Sequence, residues 1–85
     1  MILLHMEKHC NANNQHRFYR MHIGLSVFGD WSLVREWGRV GSPGTVRTLW
    51  FDTEREAEQK ALLIYSKKQK KGYRLLGGRQ NTDIS

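Results

Sequence analysis

From Phe18 onward apolar and polar positions alternate: Tyr19, Met21, Ile23, Leu25 and Val27 interleave with Arg20, His22, Gly24 and Ser26. A period of two is the signature of a strand buried on one face. Gly29-Asp30, between Phe28 and Trp31, reads as a two-residue hairpin turn in which the glycine supplies a positive φ. With Phe28 facing Trp31, that turn sets Ser26 opposite Leu33, Gly24 opposite Arg35, His22 opposite Trp37 and Arg20 opposite Arg39, all on one side. Tyr19, Met21, Ile23, Leu25 and Val27 share the other side with Val34 and Val40, and that side is the expected core.

Gly41-Ser42-Pro43-Gly44 suits a tight loop into the strand Thr45-Val46-Arg47-Thr48-Leu49-Trp50-Phe51. In this register Leu49 and Phe51 join the core, Arg47 falls opposite Gly38 on the core side, and Trp50 lies opposite Arg35 on the exposed side. Thr53-Glu54-Arg55-Glu56 is a capping box that starts a helix at about residue 54. Ala57, Ala61, Ile64 and Tyr65 form its apolar stripe, with Leu62 at the edge. Glu54, Glu56 and Glu58 at its start and Lys67, Lys68, Lys70 and Lys71 at its end follow the helix dipole, and Gly72 suits a left-handed cap. Tyr73 is expected to fold back near Tyr65 or Trp50, and Arg74-Leu75-Leu76 to add a short edge strand. The fold class is therefore α+β: a small antiparallel sheet of about three to four strands with one amphipathic helix packed on one face.

The ends of the chain carry a different composition. Met1-Ile2-Leu3-Leu4 is too short an apolar run for a leader, and no run approaches membrane-spanning length. Asn11-Ala12-Asn13-Asn14-Gln15 is polar and without hydrophobic anchors. Residues 1–16 are accordingly expected as a loose tail, 17–76 as the domain and 77–85 as a flexible tail. The 85 residues suffice for one small core, and a ligand surface is favoured over a deep cleft. The single cysteine, Cys10, permits no internal disulfide, which points to a reducing, cytoplasmic setting.

Chemistry enters through charge. The formal net charge of +6 favours an anionic partner, nucleic acid above all. His5, Glu7, His9, Cys10 and His16 have the types that bind zinc, but Glu7 sits midway between the first two histidines, where neither helical zinc motif places its glutamate. No metal or cofactor is expected. No nucleophile elbow, P-loop or catalytic Ser/His/Asp order is present, so the chain reads as a non-enzyme. In the register above, Arg20, His22, Arg35, Trp37, Arg39 and Trp50 form a stacking platform in a positive field on the sheet face opposite the helix, and the basic helix end is a separate candidate for phosphate contact. The competing reading is a second packed layer, with Trp31, Trp37 and Trp50 buried against the N-terminal segment or a twin subunit.

Phe18-Tyr19, the hairpin, Arg35-x-Trp37-Gly38-Arg39-Val40-Gly41, the strand end Leu49-Trp50-Phe51-Asp52, the capped helix and Lys71-Gly72-Tyr73 occur in this order over residues 18–73. Together they resemble a WGR domain, the module of poly(ADP-ribose) polymerases that sense DNA breaks, found also in bacterial regulators, in ligases and as small stand-alone proteins. The resemblance implies an α+β fold and a nucleic-acid role. In the polymerases the motif tryptophan lies against the sugar at a DNA end and the arginine serves phosphate or interdomain contacts; these roles fall on Trp37 and Arg39. The 85 residues hold no zinc fingers, helical regulatory domain or transferase domain. The expectation is a non-catalytic module recognising DNA ends or phosphates through Arg20, His22, Arg35, Trp37, Gly38, Arg39, Trp50, Lys67, Lys68, Lys70, Lys71 and Tyr73. The alternative is an adaptor docking on a separate DNA-processing or regulatory enzyme.

Overall fold

Alternating side chains make the sheet and an apolar helical stripe closes it on one side. In the computed structural model, which describes residues 2–80, the order is β1 (Ile2–Cys10), a 3-10 turn (Asn11–Asn13), β2 (Gln15–Leu25), β3 (Trp31–Arg39), β4 (Thr45–Phe51), α1 (Glu54–Lys70) and β5 (Arg74–Gln80). The strands form one five-stranded sheet in the order β4-β3-β2-β1-β5, with every neighbouring pair antiparallel. The α+β class stands, with five strands in place of the expected three or four. Among the described residues no helix is long and apolar enough to cross a membrane.

The extra strand comes from the stretch expected to be loose. β1 runs between β2 and β5, Met6 is fully buried and Leu4 packs against the core, so residues 2–10 belong to the sheet interior. Its alternation is hard to see because Leu3, an apolar residue on the outward side, breaks the pattern beside Leu4. Residues 77–80, expected as free tail, extend β5 on the sheet edge, and residues 81–85 lie outside the described part.

The core joins Met6, Tyr19, Met21, Ile23 and Leu33 of the sheet to Ala57, Ala61 and Ile64 of α1, with Leu4, Trp31, Trp37, Leu49, Phe51, Tyr65 and Tyr73 packed against it. The helix stripe is as its spacing predicts, while Leu62 and Leu63 face solvent. At the helix start Thr53 Oγ1 accepts from the Glu56 amide at 3.2 Å, half of the expected capping box. The other half differs: the Thr53 hydroxyl donates to Glu56 Oε1 at 3.0 Å. At the helix end Gly72 has φ 101°, its amide donates to Gln69 O and the Tyr73 amide to Lys68 O, the paired bonds of a left-handed cap.

The hairpin register is the chief correction. Leu25 pairs with Trp31, so residues 26–30 form a five-residue connection in place of a two-residue turn. Ser26 builds that longer loop: its Oγ accepts from the Phe28 amide, its backbone amide donates to Asp30 O and its carbonyl accepts from Gly29 N. Trp37 consequently faces Tyr19, not His22, a slip of three residues. An odd slip turns every side chain of β3 to the opposite face. Leu33, Arg35 and Trp37 therefore look toward the helix side and Val34 away from it, while Val40 lies in an exposed loop. A second slip of the same size between β3 and β4 sets Trp50 opposite Ser32 and returns β4 to its expected faces, Leu49 and Phe51 inward, Trp50 outward and Arg47 now opposite Arg35.

Candidate nucleic-acid interface

Strand alternation and register place the chemistry-bearing residues in cross-strand rows on the helix side of the sheet. One row is Lys8, Arg17 and Arg39 on β1, β2 and β3; the next is Met6, Tyr19, Trp37 and Thr45; the third is Leu4, Met21, Arg35 and Arg47. Two rows of cations thus bracket an aromatic row, with five basic side chains and no carboxylate among them. Like charges set directly opposite one another are unfavourable in a sheet unless an anion lies between them.

The aromatic row is built outward from Tyr19, which is only 4% exposed. Trp37 stacks on it with centroids 5.6 Å apart and planes 15° from parallel, and Tyr73 meets it edge-on at 6.4 Å. The helix end brings Lys68 over this group, its Nζ 4.6 Å from the Tyr19 centroid and 5.5 Å from that of Tyr73. The Arg35 guanidinium lies 5.4 Å from the Trp37 ring, and its buried Nε has no hydrogen-bond partner among the described residues. Burial, and after it the charges of Lys71, Arg35 and Arg17, push the Lys68 ammonium below its ordinary value of 10.5. Cations from β2, β3 and α1 thus act on one another across this site. A Cβ added at Gly72 would stand 3.4 Å from Lys8 Cε, so Lys8 reaches the same helix end.

The motif glycine has a separate duty on the outer face. Phe18, directly opposite Gly38, is 5% exposed, and Cβ atoms on Gly38 and Gly44 would stand 3.5 and 2.8 Å from its ring carbons. The ring therefore lies across two glycines, with the Arg20 guanidinium 4.7 Å from its centroid. Arg20 also pairs with Glu36 at 3.3 Å. Beside Gly38 and Arg39, a cavity of about 420 Å³ is lined by Gln15, His16 and Arg17 of β2 and the turn residues Asn13 and Asn14.

The expected platform is thus divided between two faces. Arg35, Trp37, Arg39, Lys68, Lys71 and Tyr73 come together on or beside the helix side, whereas Arg20, His22, Gly38 and Trp50 belong to the outer face. Lys67 and Lys70 are exposed on the last helical turn. Sequence reasoning missed Lys8, Arg17, Tyr19 and Arg47 at this site. Tyr19 reads in the sequence as a core residue, which it also is, and the polar alternation of Lys8 and Arg17 carries no signal until β1 is recognised as a strand.

The family model of the WGR domain matches residues 3–80. The uncharacterized protein y4dW of Sinorhizobium fredii is 37% identical over 71 residues, an alignment that covers 84% of this chain and 35% of that protein. The chain thus spans about a third of that relative's length. No solved structure matches. With the profile covering nearly the whole sheet and helix, and Trp37-Gly38-Arg39 at the end of β3, this chain belongs to the WGR domain family.

Proposed function

We propose that this domain is a non-catalytic nucleic-acid-binding module whose contact surface is the helix-side end of the sheet. The observation that carries the reading is the pair of cation rows, Lys8–Arg17–Arg39 and Arg35–Arg47, flanking Tyr19 and Trp37 beneath Lys68. Phosphates relieve the repulsion between facing arginines, and a half-buried indole among them offers a surface to a sugar or base. Membership of a family known for nucleic-acid binding in polymerase-like proteins supports the same reading.

The finer proposal is a preference for DNA ends. Tyr19 supports one side of Trp37, and the exposed remainder of the indole meets a terminal sugar, whose outer face continuous duplex would cover with the next nucleotide. Arg39, Arg17 and Arg35 hold the flanking phosphates. The arrangement uses Trp37 as an end stop and the arginines as a phosphate track.

Competition between linear and covalently closed DNA of the same sequence tests this reading, with fluorescence anisotropy as the readout. Linear DNA should compete better, and Arg39→Ala and Arg17→Ala should weaken binding to both forms, while Arg20→Ala on the outer face leaves it within about twofold. Equal competition would remove the end preference. Equal losses for Arg20→Ala and Arg39→Ala would remove the assigned face, and absence of DNA binding would leave the adaptor reading.

A further inference from the structure

A second chemical group lies on the outer face, away from the cation rows. His5, Glu7 and His9 alternate along β1 and so share one face, and His9 is directly opposite His16 of β2. The Glu7 carboxylate accepts from both neighbours, Oε1 from His9 Nε2 at 2.7 Å and Oε2 from His5 Nε2 at 3.0 Å. A neutral His9 that donates Nε2–H to Glu7 carries its lone pair on Nδ1. That atom is 2.7 Å from Nδ1 of His16, the rings 5.0 Å apart and tilted by 50°. With that His9 tautomer and a neutral partner, the bond requires His16 Nδ1–H as donor and His9 Nδ1 as acceptor.

We propose that His9 and His16 form a two-imidazole site for a borderline divalent transition-metal ion, Zn²⁺ or Cu²⁺, oriented by Glu7. Imidazole nitrogen suits these ions. A metal-bound histidine characteristically donates its other N–H to a carboxylate, which fixes the ring and makes the ligating nitrogen more basic. His9 already holds that posture toward Glu7 before any ion arrives. To ligate, His16 transfers its proton from Nδ1 to Nε2, so both imidazoles stay neutral and each offers one lone pair.

Zinc–nitrogen bonds of about 2.0–2.1 Å at a tetrahedral angle require the two nitrogens to stand roughly 3.3 Å apart. The pair must therefore open by less than about 1 Å. The His9 side chain, 48% exposed, has the freedom to turn that far. Among the described residues no group of three or more His, Cys, Asp or Glu side chains is arranged to hold a metal ion, so the remaining positions fall to water or to an anion. Cys10 follows His9 but points to the other face of the strand. The sequence signature fails here because the second ligand comes across the sheet, and Glu7 acts behind a ligand and not as one. The His16 carbonyl accepts from the Val40 amide at 2.8 Å, so an ion on this pair would tie β1 to the strand that carries the motif.

The test is calorimetric titration of the tag-free domain with Zn²⁺ at neutral pH, with Cu²⁺ electron paramagnetic resonance as a second readout. The expected result is one saturable Zn²⁺ per chain and a copper signal split by two nitrogens. His16→Ala and His9→Ala should each weaken binding at least tenfold, and Glu7→Gln about tenfold by loss of the carboxylate behind His9. His22→Ala, also on the outer face, should leave binding unchanged. Circular dichroism of His16→Ala distinguishes a lost ligand from a lost fold. Failure to saturate, or stoichiometric binding that survives His16→Ala in a folded domain, would overturn the proposal.

Discussion

The Trp37 indole lies nearly parallel to the Tyr19 ring, 5.6 Å from it, and Tyr19 is itself buried in the core. The motif tryptophan is therefore part of the packing and part of the candidate surface together. Stacked aromatic pairs contribute about 0.5–1.5 kcal/mol beyond the area they bury. Trp37→Ala should cost about 2–3 kcal/mol, less than a fully buried tryptophan because the indole is only half-covered. Trp37→Phe should recover most of that loss. Urea denaturation of the two variants decides it, and a cost below about 0.5 kcal/mol for the alanine would place the indole on a free surface.

A contrast between neighbouring glycines examines the outer face. A Cβ on Gly44 would collide with the Trp37 carbonyl oxygen and come within 2.8 Å of Phe18, whereas a Cβ on Gly38 meets Gly44 Cα at 3.1 Å and Phe18 at 3.5 Å. Overpacking of this kind costs about 1–3 kcal/mol. Gly44→Ala should lie at or above the upper end and Gly38→Ala near the lower. Thermal melts showing Gly38→Ala as the worse of the two would mean that Phe18 does not lie across the loop.

Much of the fold is legible in the chain: the alternation of β2, the Thr53 cap, the Ala57/Ala61/Ile64 stripe and the Gly72 stop are each set by local chemistry. The failures are failures of pairing. Ser26 diverts the hairpin into a longer loop through hydrogen bonds that no periodicity reveals, and that slip alone exchanged the faces of Arg35 and Trp37. β1 offers only Leu4 and Met6 as core anchors among seven described side chains beyond Leu3, too few to stand out against polar neighbours. The site followed the same fate. Its residue types were readable, but which of them share a face depended on register, and Tyr19, Arg17 and Lys8 gain meaning only once Trp37 is seen to face them.

Salt dependence separates the two faces. If the helix-side cations neutralise about four to five phosphates, the slope of log affinity against log salt should be roughly −4. Arg39→Ala should reduce its magnitude by about one, and Arg17→Ala likewise. Arg20, held by Glu36 and lying on Phe18, should leave the slope unchanged when replaced by alanine. Titrations between low and moderate salt supply the measurement. A flat dependence in the unaltered domain would show that phosphates are not its ligand.

Lys68 ties the stability of the free domain and its affinity for phosphate to pH with opposite signs. Its ammonium is held below the ordinary 10.5 by burial and by Lys71, Arg35 and Arg17. An unfolded chain keeps that proton more tightly, so between the lowered value and 10.5 the unfolded state binds more protons and the free domain gains stability as pH rises. A phosphate arriving beside Lys68 favours the charged form and raises its pKa again. Binding should therefore take up a proton within that alkaline window, and affinity should fall as pH climbs through it. Calorimetry in buffers of different ionisation enthalpy measures the proton directly. Lys68→Gln should abolish the uptake and weaken binding at neutral pH several-fold. Undiminished uptake in Lys68→Gln would locate the titrating group elsewhere and remove Lys68 from the contact surface.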